Sequence, residues 1–190
     1  MTGSLRTYRS IADPCEAPAS FQPGEKFAYT NTNYIVLGLL IEKVTKRTLG
    51  EQIDQRIVQP LGLSHTYLPA PGDRTIHGKH PEGYERNPVS GELENITEQD
   101  PSWAWAAGAM ISTPSELNTL MQKILDGTLL SAESVAEMQE TIHTETHSDY
   151  GLGLIGHSVS CGTVWGHGGT VPGYQSVSAV GPDGAAVTIA

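Results

Sequence analysis

The chain has 190 residues, enough for one domain or two small ones with a sizeable core. With 11 basic and 21 acidic residues its formal charge is -10. No Lys/Arg-rich run interrupts that charge, so nucleic acid or an anionic membrane would have to bind against the field, and no nucleic-acid partner is expected. The longest apolar stretch, Ile35 to Ile41 broken only by Gly38, is far short of the ~20 residues that span a bilayer. It reads as a core helix, and no membrane span is expected.

In chain order, Met1 to Glu25 is rich in turn formers (Pro14, Pro18, Pro23, Gly24) and reads as irregular. Its first residues have no basic region leading into an apolar core, so no secretory signal is expected. Cys15 and Cys161 are too few to define a disulfide framework and leave the compartment open. From Thr32 to Lys46, Ile35, Val36, Leu39, Leu40 and Val44 fall at helical spacing, with Lys43, Lys46 and Arg47 at the end that favours cations. A second helix is predicted from Thr48, whose capping box is completed by Glu51, to a stop before Pro60. Leu68 to Gln99 reads as a long loop with room for short strands, of the kind that lines sites.

Thr113-Pro114-Ser115-Glu116 combines an N-cap, a proline in the first turn and a capping-box glutamate, and predicts a helix to Gly127. Another is predicted from Ser131 to Ile142 with Val135 and Met138 inward. From Tyr150 the Gly-, Val- and Ser-rich text, with turn signals at Gly156, Pro172-Gly173 and Gly181 to Gly184, predicts antiparallel strands. Ending on Ala-Val-Thr-Ile-Ala, the sheet reads as unfinished. The fold class is thus α+β, with a mostly helical region over 1–142 and a partial antiparallel sheet over 143–190, together one incomplete domain.

Two constellations carry chemistry: Tyr29-Thr30-Asn31 ahead of the first long helix, and Gly166-His167-Gly168-Gly169-Thr170 in the sheet region. Alone, the first is commonly a helix cap and the second a strand-edge bulge. In this order they resemble the Tyr-x-Asn and Lys/His-x-Gly elements of serine penicillin-recognising enzymes. The surrounding text is closest to D-alanyl-D-alanine carboxypeptidases of the class C β-lactamase type: Phe27 to Tyr34, Gly38, Ile41 to Thr45, Ser102-Trp103-Ala104 with Ala107-Gly108, and Tyr150 to Leu154. The resemblance implies a partial β-lactamase/transpeptidase-like fold and acyl-enzyme chemistry without metal or organic cofactor. Its substrates would be D-alanyl-D-alanine peptides, β-lactams, esters or amides. It further implies catalytic roles for Tyr29, Asn31 and His167, and substrate contacts from Trp103, Gly168, Gly169 and the Thr170 N–H, which would form half of an oxyanion hole. Relatives of this type are usually exported.

No serine in the chain is followed three positions later by lysine. The nucleophile of the family is therefore not expected in this chain, which reads as inactive alone, as a binding module, or as half of an enzyme completed by an amino-terminal chain. Gly168 stands where the carboxypeptidases have threonine, and Ile155 where they place a carboxylate-binding arginine, which leaves esterase, amidase or D-amino-acid peptidase specificity open as well. A Gly-x-Ser-x-Gly elbow is absent, which argues against an α/β-hydrolase. A zinc site from His143, Glu145 and His147 lacks the His-Glu-x-x-His spacing and reads better as solvated loop.

Overall fold

The computed structural model describes residues 18–144 and 149–190. Helix α1 (Asn31–Thr45) begins at Thr30, whose side chain accepts a hydrogen bond from the Thr32 N–H, and ends on a left-handed Lys46. Helix α2 (Leu49–Ile53) has the expected capping box between Thr48 and Glu51. It does not stop before Pro60. A wider π-type turn, Asp54–Val58, carries the Gln59 N–H back to the Asp54 carbonyl and leads into a short helix α3, Gln59–Leu61. The wider turn absorbs the proline, which lacks the N–H and crowds the carbonyl of an ordinary α-helix.

The long loop holds a small hairpin, β1 (Tyr84–Arg86) with β2 (Leu93–Asn95). Helix α4 (Pro114–Leu125) starts at Thr113 with Pro114 in its first turn, and helix α5 (Ala132–Gln139) is capped by Ser131. Helix α5 ends before Ile142, which instead pairs with Tyr150 as part of β3 (Ile142–His143) against β4 (Asp149–Tyr150). An extended Glu140 turns the chain there, and the β-branched residues that follow suit a strand.

The six-stranded antiparallel sheet runs β3-β4-β5-β6-β7-β8 in sequence order, with β5 (Ile155–Val159), β6 (Gly162–Val171), β7 (Tyr174–Val180) and β8 (Ala186–Ile189). Gly156, expected at a turn, lies inside β5 opposite Trp165. The turn falls at Ser160-Cys161, because a side chain at 156 would meet the Trp165 ring at about 3 Å, which makes glycine a packing requirement of the strand. Gly166 has a similar role, since a Cβ there would lie 1.9 Å from the Ser178 carbonyl oxygen.

Helix α4 lies across β7 and β8, and the core gathers Met121, Leu154 and Val180 with Leu125, Met138, Trp165 and Ala186 packed around them. Thr188 donates to Asn118 of α4, and Ser178 is hydrogen-bonded to Thr188 on the same sheet face. The opposite face bears Val177, Val187 and Ile189, all more than half exposed. Helix α1 is not the core helix its composition predicts. Gly38 is its buried residue, whereas Val36, Leu37, Leu40 and Val44 are exposed. The side of the helix with Gly38 is covered, where Ala106 and Trp105 press against the backbone and Ile35 and Leu39 are half-buried, while the described residues leave the face with Val36, Leu37, Leu40 and Val44 open.

With so few fully buried side chains, each is expensive to lose. Leu154→Ala is expected to cost about 2–5 kcal/mol, because Leu154 is 2% exposed at the centre of the cluster. Val187→Ala on the open face should cost far less. Chemical denaturation of both variants checks this, and equal losses would show that Leu154 is not at the centre of the core.

Candidate active site

The register of the sheet sets the site. Pairing of β5 with β6 ends at Ile155 opposite Gly166, while pairing of β6 with β7 continues to Val171 opposite Tyr174. From His167 to Val171, β6 therefore has β7 on one side and no strand of the described residues on the other. An exposed strand edge presents backbone donors and acceptors to any extended chain laid beside it. Gly168, Gly169 and Thr170 are exposed along this stretch.

Ile155 is also opposite Tyr150 of β4. Tyr150 and His167 thus flank the end of β5, and the Tyr150 hydroxyl reaches His167 Nε2 at 3.2 Å. The start of α1 arrives at the same place. The Tyr29 ring lies 6.1 Å from the His167 ring, 5.7 Å from Tyr150 and 5.8 Å from Tyr34, centre to centre. Phe27 packs on Tyr150 at 5.3 Å. The Tyr34 and Tyr150 hydroxyls are hydrogen-bonded to each other. The two short motifs are therefore brought together although far apart in sequence.

Not every candidate joins them. Asn31 is the first residue of α1, and its side chain is exposed. Trp103 sits 52% exposed at the end of a short helical turn, Pro101–Trp103. Among the described residues it makes no ring contact with the tyrosines. The adjoining turn is anchored to α1 through Trp105 and Ala106 at Gly38, and Trp105 has a φ of 37°, unusual for a bulky residue. The long loop is tied to the far end of β6: Tyr174 donates to the Pro81 carbonyl, and Gln99 donates to the Pro172 carbonyl. Between that loop and the strand end lies an open groove of about 530 Å³, lined by Thr170, Pro172, Tyr174, Tyr84 and Arg86.

Tyr34 and Tyr150 are members of the cluster for which sequence reading assigned no role. The signal for Tyr34 was its position one helical turn after Asn31, which places it on the same face. Tyr150 opens one of the blocks that carry the resemblance, but nothing local marks its hydroxyl, whose partners lie on other elements.

The phenol of Tyr29 is held above its ordinary value of 10.0 by burial and by the neighbouring Tyr34. Tyr150 is pushed much further in the same direction by burial, by its hydrogen bond with Tyr34 and by the Tyr34 and Tyr29 charges. Among the described residues no lysine or arginine contacts either hydroxyl. A base made from Tyr29 would need such a cation, since a phenol with an ordinary pKa is only ~0.1% ionised at neutral pH.

Another Ser, His and carboxylate group meets at Ser64, His65 and Glu116, but its geometry is that of a clamp. Ser64 and Glu116 both approach the same nitrogen, His65 Nδ1, and Glu116 also accepts from the His65 N–H and the Thr66 hydroxyl. A base needs its two nitrogens divided between nucleophile and carboxylate. As for zinc, His143 pairs with Asp149 at 2.8 Å, while Glu145 and His147 lie outside the described residues.

A family model described as Beta-lactamase matches residues 5–190. A protein of Salmonella enteritidis PT4 with the provisional name D-alanyl-D-alanine carboxypeptidase is 26% identical over 160 residues, which are 73% of this chain and 37% of that protein. The crystal structure of a D-stereospecific amidohydrolase from Streptomyces sp. superposes with a TM-score of 0.88 at 34% identity, covering 96% of this chain and 54% of that one. A D-amino acid amidase from Ochrobactrum anthropi, complexed with D-phenylalanine, superposes with a TM-score of 0.77 over 96% of this chain and 55% of that one. At 24% identity that likeness speaks to the fold. The chain thus spans about a third to a half of the length of these proteins.

The raised phenols make a spectroscopic prediction. In an ultraviolet titration of the seven tyrosines, Tyr29→Phe and Tyr150→Phe should each remove absorbance from the limb above pH 10. Loss from a limb below that value would place a cation beside the hydroxyl.

Proposed function

Because the chain belongs to the β-lactamase family, we propose that it supplies two walls of a serine acyl-transfer site that hydrolyses an amide, lactam or ester bond. One wall is Tyr29 with Asn31 at the start of α1, and the other is the open edge of β6 from His167 to Thr170. The observation that carries this reading is the meeting of Tyr29 and His167, 6.1 Å apart between ring centres, at the place where β6 outruns β5. An extended substrate laid on that edge would run past Tyr29 toward Thr170, whose N–H is suited to stabilising a developing oxyanion. In the same reading, Asn31 holds a substrate amide, and Trp103 lines the pocket.

The chemistry requires a nucleophile and a cation that this sequence lacks in the family's Ser-x-x-Lys form. With Tyr29 held protonated, the walls alone have no means of forming an acyl-enzyme, and we infer that these 190 residues are inactive by themselves. Loss of such a nucleophile removes on the order of 10⁶ in rate in a well-studied serine protease.

A second reading, half of a split or longer enzyme, is favoured by the apolar faces of α1 and of β7–β8. Val36, Leu37, Leu40 and Val44 on one, and Val177, Val187 and Ile189 on the other, are the kind of surface that further polypeptide covers. Substrate specificity toward D-amino-acid amides or D-alanyl-D-alanine peptides is in keeping with the relatives. The uncharged Ile155 favours substrates that do not depend on a cation at that position.

A chimaera tests this function. A Ser-x-x-Lys segment from a β-lactamase-family enzyme, placed ahead of the chain or added as a separate polypeptide, should confer hydrolysis of a D-amino-acid amide, an ester or a chromogenic β-lactam. Tyr29→Phe should lower that rate by about 10²- to 10⁴-fold, the range of a lost general acid or base. A folded chimaera that hydrolyses nothing, or whose rate ignores Tyr29, contradicts the proposal.

A further inference from the structure

Both ring nitrogens of His167 are engaged, and one of the two partners leaves no choice of direction. Nδ1 lies 2.6 Å from the Gly168 carbonyl oxygen. A carbonyl can only accept, so Nδ1 carries a proton. In the neutral ring Nε2 is then an acceptor, and the Tyr150 hydroxyl, 3.2 Å away, must donate to it. Tyr150 has one proton to give. Its oxygen therefore receives the bond from the Tyr34 hydroxyl. A single backbone carbonyl at the site's edge thus sets the direction of three successive hydrogen bonds on α1, β4 and β6.

We propose that Tyr150 and Tyr34 are positioning residues that lock His167 as the neutral Nδ1–H tautomer, with Nε2 occupied by a hydroxyl donor. The use of this row in catalysis rests on the reading given above. The tautomer does not, and it is a property of the chain as it stands.

The arrangement changes what His167 does. An imidazole whose Nε2 already accepts a hydrogen bond is not a free base facing the substrate, so that role passes to Tyr29, whose hydroxyl makes no hydrogen bond among the described residues. The row offers His167 a different part. A proton given to the Tyr34 oxygen by a hydronium ion of the solvent lets Tyr34 pass its own proton to Tyr150, and Tyr150 pass its own to Nε2. Three O–H or N–H bonds form as two O–H bonds and the donor's bond break, both phenols end neutral, and the imidazole ends with one added positive charge. The titratable groups in contact with the ring or the row are Tyr29, Tyr34 and Tyr150, and among the described residues no carboxylate touches the imidazole. Hydrogen bonds in such a row strengthen one another, so removing the outermost donor weakens the innermost bond.

Long-range proton–nitrogen correlation of the imidazole rings, on the ¹⁵N-labelled full chain near neutral pH, reads the tautomer directly. The His167 signals are assigned by their loss in His167→Gln. The expected result is a protonated Nδ1 and an unprotonated Nε2 shifted by its hydrogen bond. Tyr150→Phe should release Nε2 and move the population toward the Nε2–H tautomer. Tyr34→Phe should keep the tautomer while moving the Nε2 signal part of the way toward its unbonded position. A wild-type His167 in the Nε2–H tautomer overturns the proposal, whatever the variants do. So does a Tyr150→Phe protein, folded by its amide spectrum, in which the His167 signals do not move. If Tyr150→Phe fails to fold, the wild-type tautomer and the Tyr34→Phe shift still decide the matter. None of these readings depends on hydrolysis, so an inactive chimaera would refute the proposed function without touching this one.

Discussion

The difference in length between two strand pairings is the constraint on which the site depends. Because β5 stops pairing at Ile155 while β6 continues with β7 to Val171, five residues of β6 keep an open edge. The same stop creates the gap that the Tyr150 hydroxyl crosses to His167, and into which the tyrosines at the start of α1 are drawn. Gly166 makes the arrangement possible, since only a residue without Cβ lets β6 sit that close to the Ser178 carbonyl. Strand register thus controls a chemical feature, the environment of one imidazole and one phenol.

The energetics point outward from this centre. The core is carried by one face of the sheet and by α4, with Leu154 as its most buried member. The other face of β7–β8 and the apolar side of α1 face solvent. Burying a leucine or valine is worth about 1.5–3 kcal/mol, so these surfaces hold a large unused driving force for association. The chain spans about half of the Streptomyces amidohydrolase.

Local signals were legible wherever local chemistry decided the structure. The N-caps at Thr48 and Thr113 form as expected, because a side-chain oxygen accepting an N–H three residues on is a short-range event, whereas the Glu116 carboxylate leaves its expected capping box for the His65 N–H and the Thr66 hydroxyl. The readings that failed did so where a less common backbone turn or a distant partner prevailed. Pro60 does not end its helix because a π-type turn precedes it, Gly156 is a strand residue because Trp165 lies against it, and Ile142 leaves the helix to pair with Tyr150. The periodicity of α1 was sound as periodicity, but the pattern cannot say whether anything covers the face it describes. Tyr29 and His167 were legible as motifs, whereas the roles of Tyr34 and Tyr150 were not, since their hydrogen bonds join residues 116 and 17 positions apart.

In the function proposed above, the chain holds the walls of an acyl-transfer site and no nucleophile of its own. The intact mass of the purified chain, after incubation with a penicillin and separately with a serine-reactive phosphonate, decides between the presence and absence of such a nucleophile. An unchanged mass is expected in both cases. A stable adduct mapped to one serine would contradict it and place the missing nucleophile within these 190 residues.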